Sequence, residues 1–180
     1  MDESSDSEEE TPEQSESAGS TPPVTASRVF NFVLCGPDSF MMAPNALEHP
    51  PRPTMELLNK HYFNNVDPLF KVLHRPSVTE LMLNGNQYLG LRADDPAVDA
   101  LMFAVYYAAI NTQNENSCKQ NFGDEKVNLL NKYRFGFEVC LARADFVNSV
   151  KIEVLQSLVI FLVSSSLLVL RSYCASIGLR

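Results

Sequence analysis

The sequence lacks the patterns that catalytic and metal sites most often need. Its four cysteines, Cys35, Cys118, Cys140 and Cys174, stand more than twenty residues apart. No pair has the C-x-x-C spacing of a zinc site, and no histidine is near enough to complete one. His49, His61 and His74 are separated by about a dozen residues, which fits neither H-E-x-x-H nor a zinc finger. A G-x-S-x-G elbow, a P-loop and a dinucleotide fingerprint are missing as well. The expectation is a chain that is not an enzyme, with no catalytic, cofactor-binding or metal-binding residue of its own.

Positive charge is missing from the start of the chain. The first twenty residues hold eight acids (Asp2, Glu3, Asp6, Glu8, Glu9, Glu10, Glu13, Glu16) and no Lys or Arg. Of 22 acids and 14 bases in all, this leaves 14 of each sign in the remainder. The net charge of -8 is therefore a property of the tail. A neutral remainder offers no cluster of Lys and Arg for a phosphate backbone. Strand-type alternation with hairpin turns is absent too, so the predicted fold class is all-α. Met1 to Glu10 are polar and acidic, unlike a secretory signal or a transit peptide. The simple reading of the scattered cysteines is an intracellular protein with reduced, mostly buried thiols.

What is present is enough apolar material for one core, 45% of 180 residues. Residues 1–27, rich in Ser, Glu, Thr and Pro, are expected to be a disordered acidic tail, because ordering them would cost entropy that no burial offsets. They contain no aromatic or leucine residue of the kind acidic activation segments interleave, so a solvated linker is the better reading. Residues 28–53 read as an irregular lead-in. Phe30, Phe32, Val33, Leu34 and Phe40 supply a short apolar anchor, while Pro37, Pro44, Pro50, Pro51 and Pro53 prevent a long helix.

Residues 54–180 read as a partial helical bundle. Met55, Leu58 and Tyr62 give one apolar face up to Pro68. Pro76 begins a second helix, with Ser77 and Glu80 at the spacing of a capping box, and Asn84-Gly85 ends it. Asp95 caps a third helix with Pro96 in its first position and Val98, Leu101, Met102, Val105 and Ala109 as its buried stripe. Asn111 to Gln120 reads as a loop. A longer helix from about Asp124 carries Leu130, Tyr133, Phe137, Leu141 and Ala144, and Asn148-Ser149 breaks it. Tyr106-Tyr107 reads as core, and His74, beside Arg75 and Pro76, as a structural residue at a helix junction instead of a general base.

Val154 to Leu170 contains no charge. A membrane-anchored protein using 154–170 as a transmembrane helix is the rival reading, although spanning needs roughly twenty apolar residues. Gln156 and Ser164 to Ser166 dilute the run, and a helix in the centre of a bundle is also apolar all round.

Three stretches together resemble the fungal-specific transcription factor domain, the middle regulatory region of fungal zinc-cluster transcription factors. Tyr62 to Ser77 (YFNNVDPLFKVLHRPS) is similar to that family's opening, in which a helix ends at V-x-P-L-F and H-x-P begins the next. The matching positions are Tyr62, Val66, Pro68, Leu69, Phe70, His74 and Pro76. In physical terms Pro68 ends one helix, Leu69, Phe70 and Leu73 bury the turn, and Pro76 starts the next. Ala100 to Ala109 resembles the first core helix. Leu130 to Ala144, followed by Leu155-Gln156 in LQSLVIFL, resembles a long helix and the L-Q-A-L helix after it.

The resemblance implies transcription regulation in the nucleus, with structural or regulatory roles for the motif positions. It implies contact with DNA only through the full-length family member, whose N-terminal six-cysteine cluster binds zinc, and protein partners or a small effector for the helical region. The resemblance also argues against the membrane reading, because the L-Q-A-L helix is a buried bundle helix. The cluster is not found here, and the match fades after Leu162. The domain is therefore expected to be incomplete at its C-terminus, with apolar faces left bare.

Overall fold

The structure, a computed structural model, describes residues 47–176, with side chains as far as Leu167. The acidic tail, the apolar anchor from Phe30 to Phe40, and Ile177 to Arg180 lie outside the described residues. Six helices follow one another: α1 (Arg52–Asn65), α2 (Arg75–Asn84), α3 (Pro96–Asn111), α4 (Glu115–Phe122), α5 (Lys126–Arg143) and α6 (Ile152–Ser176). Among the described residues the only ladder pairing is an isolated bridge between Tyr88 and Leu91. The class is all-α, as the periodicity predicts.

Local chemistry accounts for most of the helix ends. α1 starts at Arg52 with Pro53 in its first turn, where a missing N–H costs nothing. It stops at Asn65, before Pro68, and the turn is closed by the Val66 and Asp67 amides on the Tyr62 carbonyl at 2.8 and 3.1 Å. The predicted capping box at Ser77 is not formed. His74 holds the N-cap position of α2, its ring Nδ1 lies 2.8 Å from the Ser77 hydroxyl, and Ser77 sits inside the first turn. Glu80 turns the other way and accepts from the side-chain amides of Asn84 and Asn86. Pro76 is better suited to the second helical position than to the first residue after a cap, which moves the start back. Gly85, with φ 66°, ends α2 in the left-handed region open to glycine. At α3 the prediction holds in detail: the Asp95 carboxylate accepts from the Ala97 amide at 2.9 Å ahead of Pro96.

The predicted loop from Asn111 to Gln120 is in fact largely helical. Asn114 caps α4 by accepting from the Ser117 amide at 2.8 Å, and Gly123 (φ 73°) closes it. Its polar sequence hides the helix because only Cys118 is buried.

α3 is the hub. α1, α5 and α6 all pack on it, and α2 packs on α1. The stripe expected on one side of α3 is only part of what is covered, since every residue from Ala97 to Asn111 except Asp99 is buried. Five alanines (Ala97, Ala100, Ala104, Ala108, Ala109) let neighbours approach on all sides. α5 comes closest at Gly136, where a methyl group would lie 2.5 Å from the Phe103 ring. Tyr106 stacks at a tilt on Tyr133 with centroids 5.3 Å apart, and Phe137 stacks on Phe161 of α6 at 4.3 Å.

Candidate functional site

Gln156, on α6, is the junction of three separate segments. Its amide nitrogen donates to the Val72 carbonyl at 3.1 Å, and its amide oxygen accepts from the Tyr88 hydroxyl at 3.2 Å. Tyr88 reaches it because Leu89 (φ 49°) and Gly90 (φ 90°) form a tight turn that folds Leu91 back on Tyr88. Burial raises the pKa of the Tyr88 hydroxyl, which keeps it the donor, although the bond to Gln156 works the other way. The Tyr62 hydroxyl is buried with no partner, and desolvation, with Asp67 and Tyr88 nearby, raises its pKa far above the usual range.

A second junction was not anticipated from the sequence. His49 stacks on Phe103 with centroids 4.9 Å apart, and both of its ring nitrogens are engaged. Nε2 lies 3.1 Å from Asp99 Oδ1, and Nδ1 lies 3.3 Å from the Tyr106 hydroxyl. In the neutral ring Nε2 donates to the carboxylate and Nδ1 accepts from Tyr106. This Asp–His–Tyr chain has the form of a proton relay, but it ends on a hydroxyl inside the core. Burial, followed by Tyr133 and Asp99, holds the Tyr106 proton firmly in place. No nucleophile follows it, and the arrangement pins the segment before α1 against α3. Fifty residues separate His49 from Asp99, so no local spacing reveals the pair.

The two described cysteines are equally unreactive. Burial pushes the Cys140 thiol up to about 12 and raises that of Cys118. Among the described residues no group of three or more His, Cys, Asp and Glu is placed to hold a metal ion.

A polar cleft of about 710 Å³ opens where α1, α3 and α4 meet, lined by His61, Asn65, Asn111, Thr112, Gln113 and Asn114. His61 Nε2 has no partner there, and burial, then the Lys60 charge, lowers the pKa of the ring, favouring the neutral form. Such a lining suits an uncharged, hydrogen-bonding ligand.

The predicted motif residues are split between these surroundings. Tyr62 and Val66 are buried, and Phe70 packs on the core's edge. Pro68, His74 and Pro76 are exposed. Leu69, expected to bury the turn, is 68% exposed, because the turn is sealed instead by Val66 and Leu73. Gln156 is drawn to the turn at Val72, whereas its neighbour Leu155, expected inside a bundle, is 61% exposed. Leu155 lies on the opposite side of α6 from Val154, Ser157 and Ile160, which face α3 and α5. The transmembrane alternative is not favoured: among the described residues no helix is long and apolar enough to cross a membrane.

No family model matches the chain, and no solved structure matches it. Characterised proteins do. The chain is 34% identical over 151 residues to the C6 finger domain transcription factor adaR of Aspergillus niger, covering 83% of this chain and 19% of that protein. It is 38% identical over 103 residues to the C6 finger domain transcription factor nscR of Arthroderma gypseum, covering 57% of this chain and 15% of that one. Transcription factor vrtR2 of Penicillium aethiopicum is 39% identical over 104 residues, 57% of this chain and 12% of its own length. The chain thus spans about a fifth or less of the relatives it matches. Its homologues are C6 finger transcription factors, and the chain corresponds to a stretch of them in keeping with a fungal transcription factor regulatory region.

Proposed function

We propose that this chain serves transcription regulation as helical regulatory sequence of a fungal zinc-cluster factor, acting in the nucleus through protein partners or a small effector. The observation that carries the proposal is the 34% identity to adaR over 151 residues. The charge balance supports it: outside the acidic tail, 14 acids match 14 bases, so the helical part has no excess of Lys and Arg for DNA. In this reading DNA is read, and zinc held, by a six-cysteine cluster of the kind that names the relatives, not by residues of this chain. The tail of residues 1–27 is a linker, residues 28–53 are a lead-in, and residues 54–180 are the regulatory part. Tyr62, Val66, Phe70 and Gln156 then maintain the fold, and a small uncharged effector would enter the polar cleft beside His61. Nothing in this reading calls for an enzyme.

The test joins the chain to an unrelated DNA-binding domain upstream of a reporter gene. Reporter output should differ from that of the DNA-binding domain alone, while the isolated chain shows no salt-dependent affinity for duplex DNA. Unchanged output together with salt-dependent DNA binding would reverse the assignment.

A further inference from the structure

The outer face of α6 carries a regular pattern that the regulatory assignment does not use. Ile152, Leu155, Val159 and Leu162 recur at intervals of three and four residues, and they are 55%, 61%, 37% and 59% exposed. Called a, d, a and d of a heptad, they place β-branched residues at a and leucine at d, the combination that favours two parallel strands. Ser166 takes the next a position. Its hydroxyl already donates to the Leu162 carbonyl at 2.8 Å, so burying it strands no donor. The flanking positions are Gln156, Leu158, Val163 and Ser165, with no charge among them. An identical helix laid against this face therefore meets no like-charge repulsion.

We propose that this stripe is a pairing surface for a second copy of the chain, giving a parallel two-helix seam along α6. A groove of about 420 Å³ continues the stripe at its N-terminal end, lined by Phe146, Val150, Ile152, Leu155 and Leu158. With the fully exposed Val150, the bare side chains offer on the order of 500 Å² on each copy, roughly 1,000 Å² for the pair, the lower bound for a specific interface. The inner face of the same helix, through Val154, Ser157 and Ile160, stays on the bundle, so pairing requires no refolding.

The experiment is the mass of the full chain in solution as its concentration is raised, by light scattering or sedimentation. A dimer is expected. Leu155→Glu and Leu162→Glu should each weaken it by about tenfold or more with helical circular dichroism unchanged. If the charges unfold the chain, Leu155→Gln with Leu162→Gln makes the same test. In a Cys35→Ser, Cys174→Ser chain, Val159→Cys should give an oxidised covalent dimer, because equal a positions meet in a parallel pair. A monomer at every concentration, an assembly that survives the double substitution, or no covalent dimer would overturn the proposal. So would a dimer seen only with Phe30→Asp and Phe32→Asp, which would assign the face to the chain's own N-terminal segment.

Discussion

α3 and α6 are alike in composition and opposite in circumstance. α3 carries a single charge, Asp99, and α6 carries none from Val154 to Leu170. Yet α3 is covered on every side, whereas α6 is covered only along the row of Val154, Ser157, Ile160 and Ser164. Side-chain size explains part of the difference. The alanines of α3 let α1, α5 and α6 come close around it, while the outer row of α6 is made of large side chains with no neighbour among the described residues. Apolarity all round a helix thus states what it can bury, not what is present to bury it.

The largest effect should come from the crowded side of this contrast. Phe103→Ala removes a fully buried ring that lies against Gly136 and His49, and should cost about 3–5 kcal/mol in chemical denaturation. Gly136→Val approaches the same contact from α5 and should cost about 1–3 kcal/mol, because the Phe103 ring has nowhere to move. A loss of less than half a kcal/mol for Phe103→Ala would mean that α3 is not the hub.

An intermediate effect is expected at the start of α3. Burial pushes the Asp95 carboxyl up, but the Lys151 ammonium at 2.7 Å and the Ala97 amide together bring it below its ordinary value. A carboxylate depressed in the folded state stabilises the fold above its unfolded pKa and loses that contribution as pH falls through the folded value. Asp95→Ala should therefore cost about 1 kcal/mol near neutral pH from the lost cap, and progressively less in acid below about pH 4. Thermal melts of both proteins across that range make the comparison.

The smallest effect belongs to the bare side. Leu155→Gln should change the stability of the dilute monomer by no more than about 0.5 kcal/mol, since its side chain meets solvent. A cost of 2 kcal/mol or more, the mark of a buried leucine, would show that something in the chain covers this face.

These contrasts mark where the sequence was legible. The cap and proline at Asp95-Pro96, the stop at Gly85 and the apolar periods of α1, α3 and α5 are local signals, and they located those elements within a few residues. α4 escaped because one buried cysteine makes no period. Leu69 and Leu155 were misplaced because a leucine looks the same whether or not a neighbour arrives. His49, Asp99 and Tyr106 meet only through tertiary packing, so no spacing along the chain could reveal them. Gln156 was singled out by its resemblance to a motif, but its two partners, Val72 and Tyr88, depend on the turn at Leu89-Gly90.

The Asp95 carboxylate has a mechanical consequence. It caps α3 through the Ala97 amide and grips Lys151, the residue before α6, from 56 positions away. The starts of the two helices are thereby yoked. A pull that lifts the first turn of α6 away from the bundle also removes charge from the mouth of α3, so a disturbance on the bare helix is felt at the root of the crowded one.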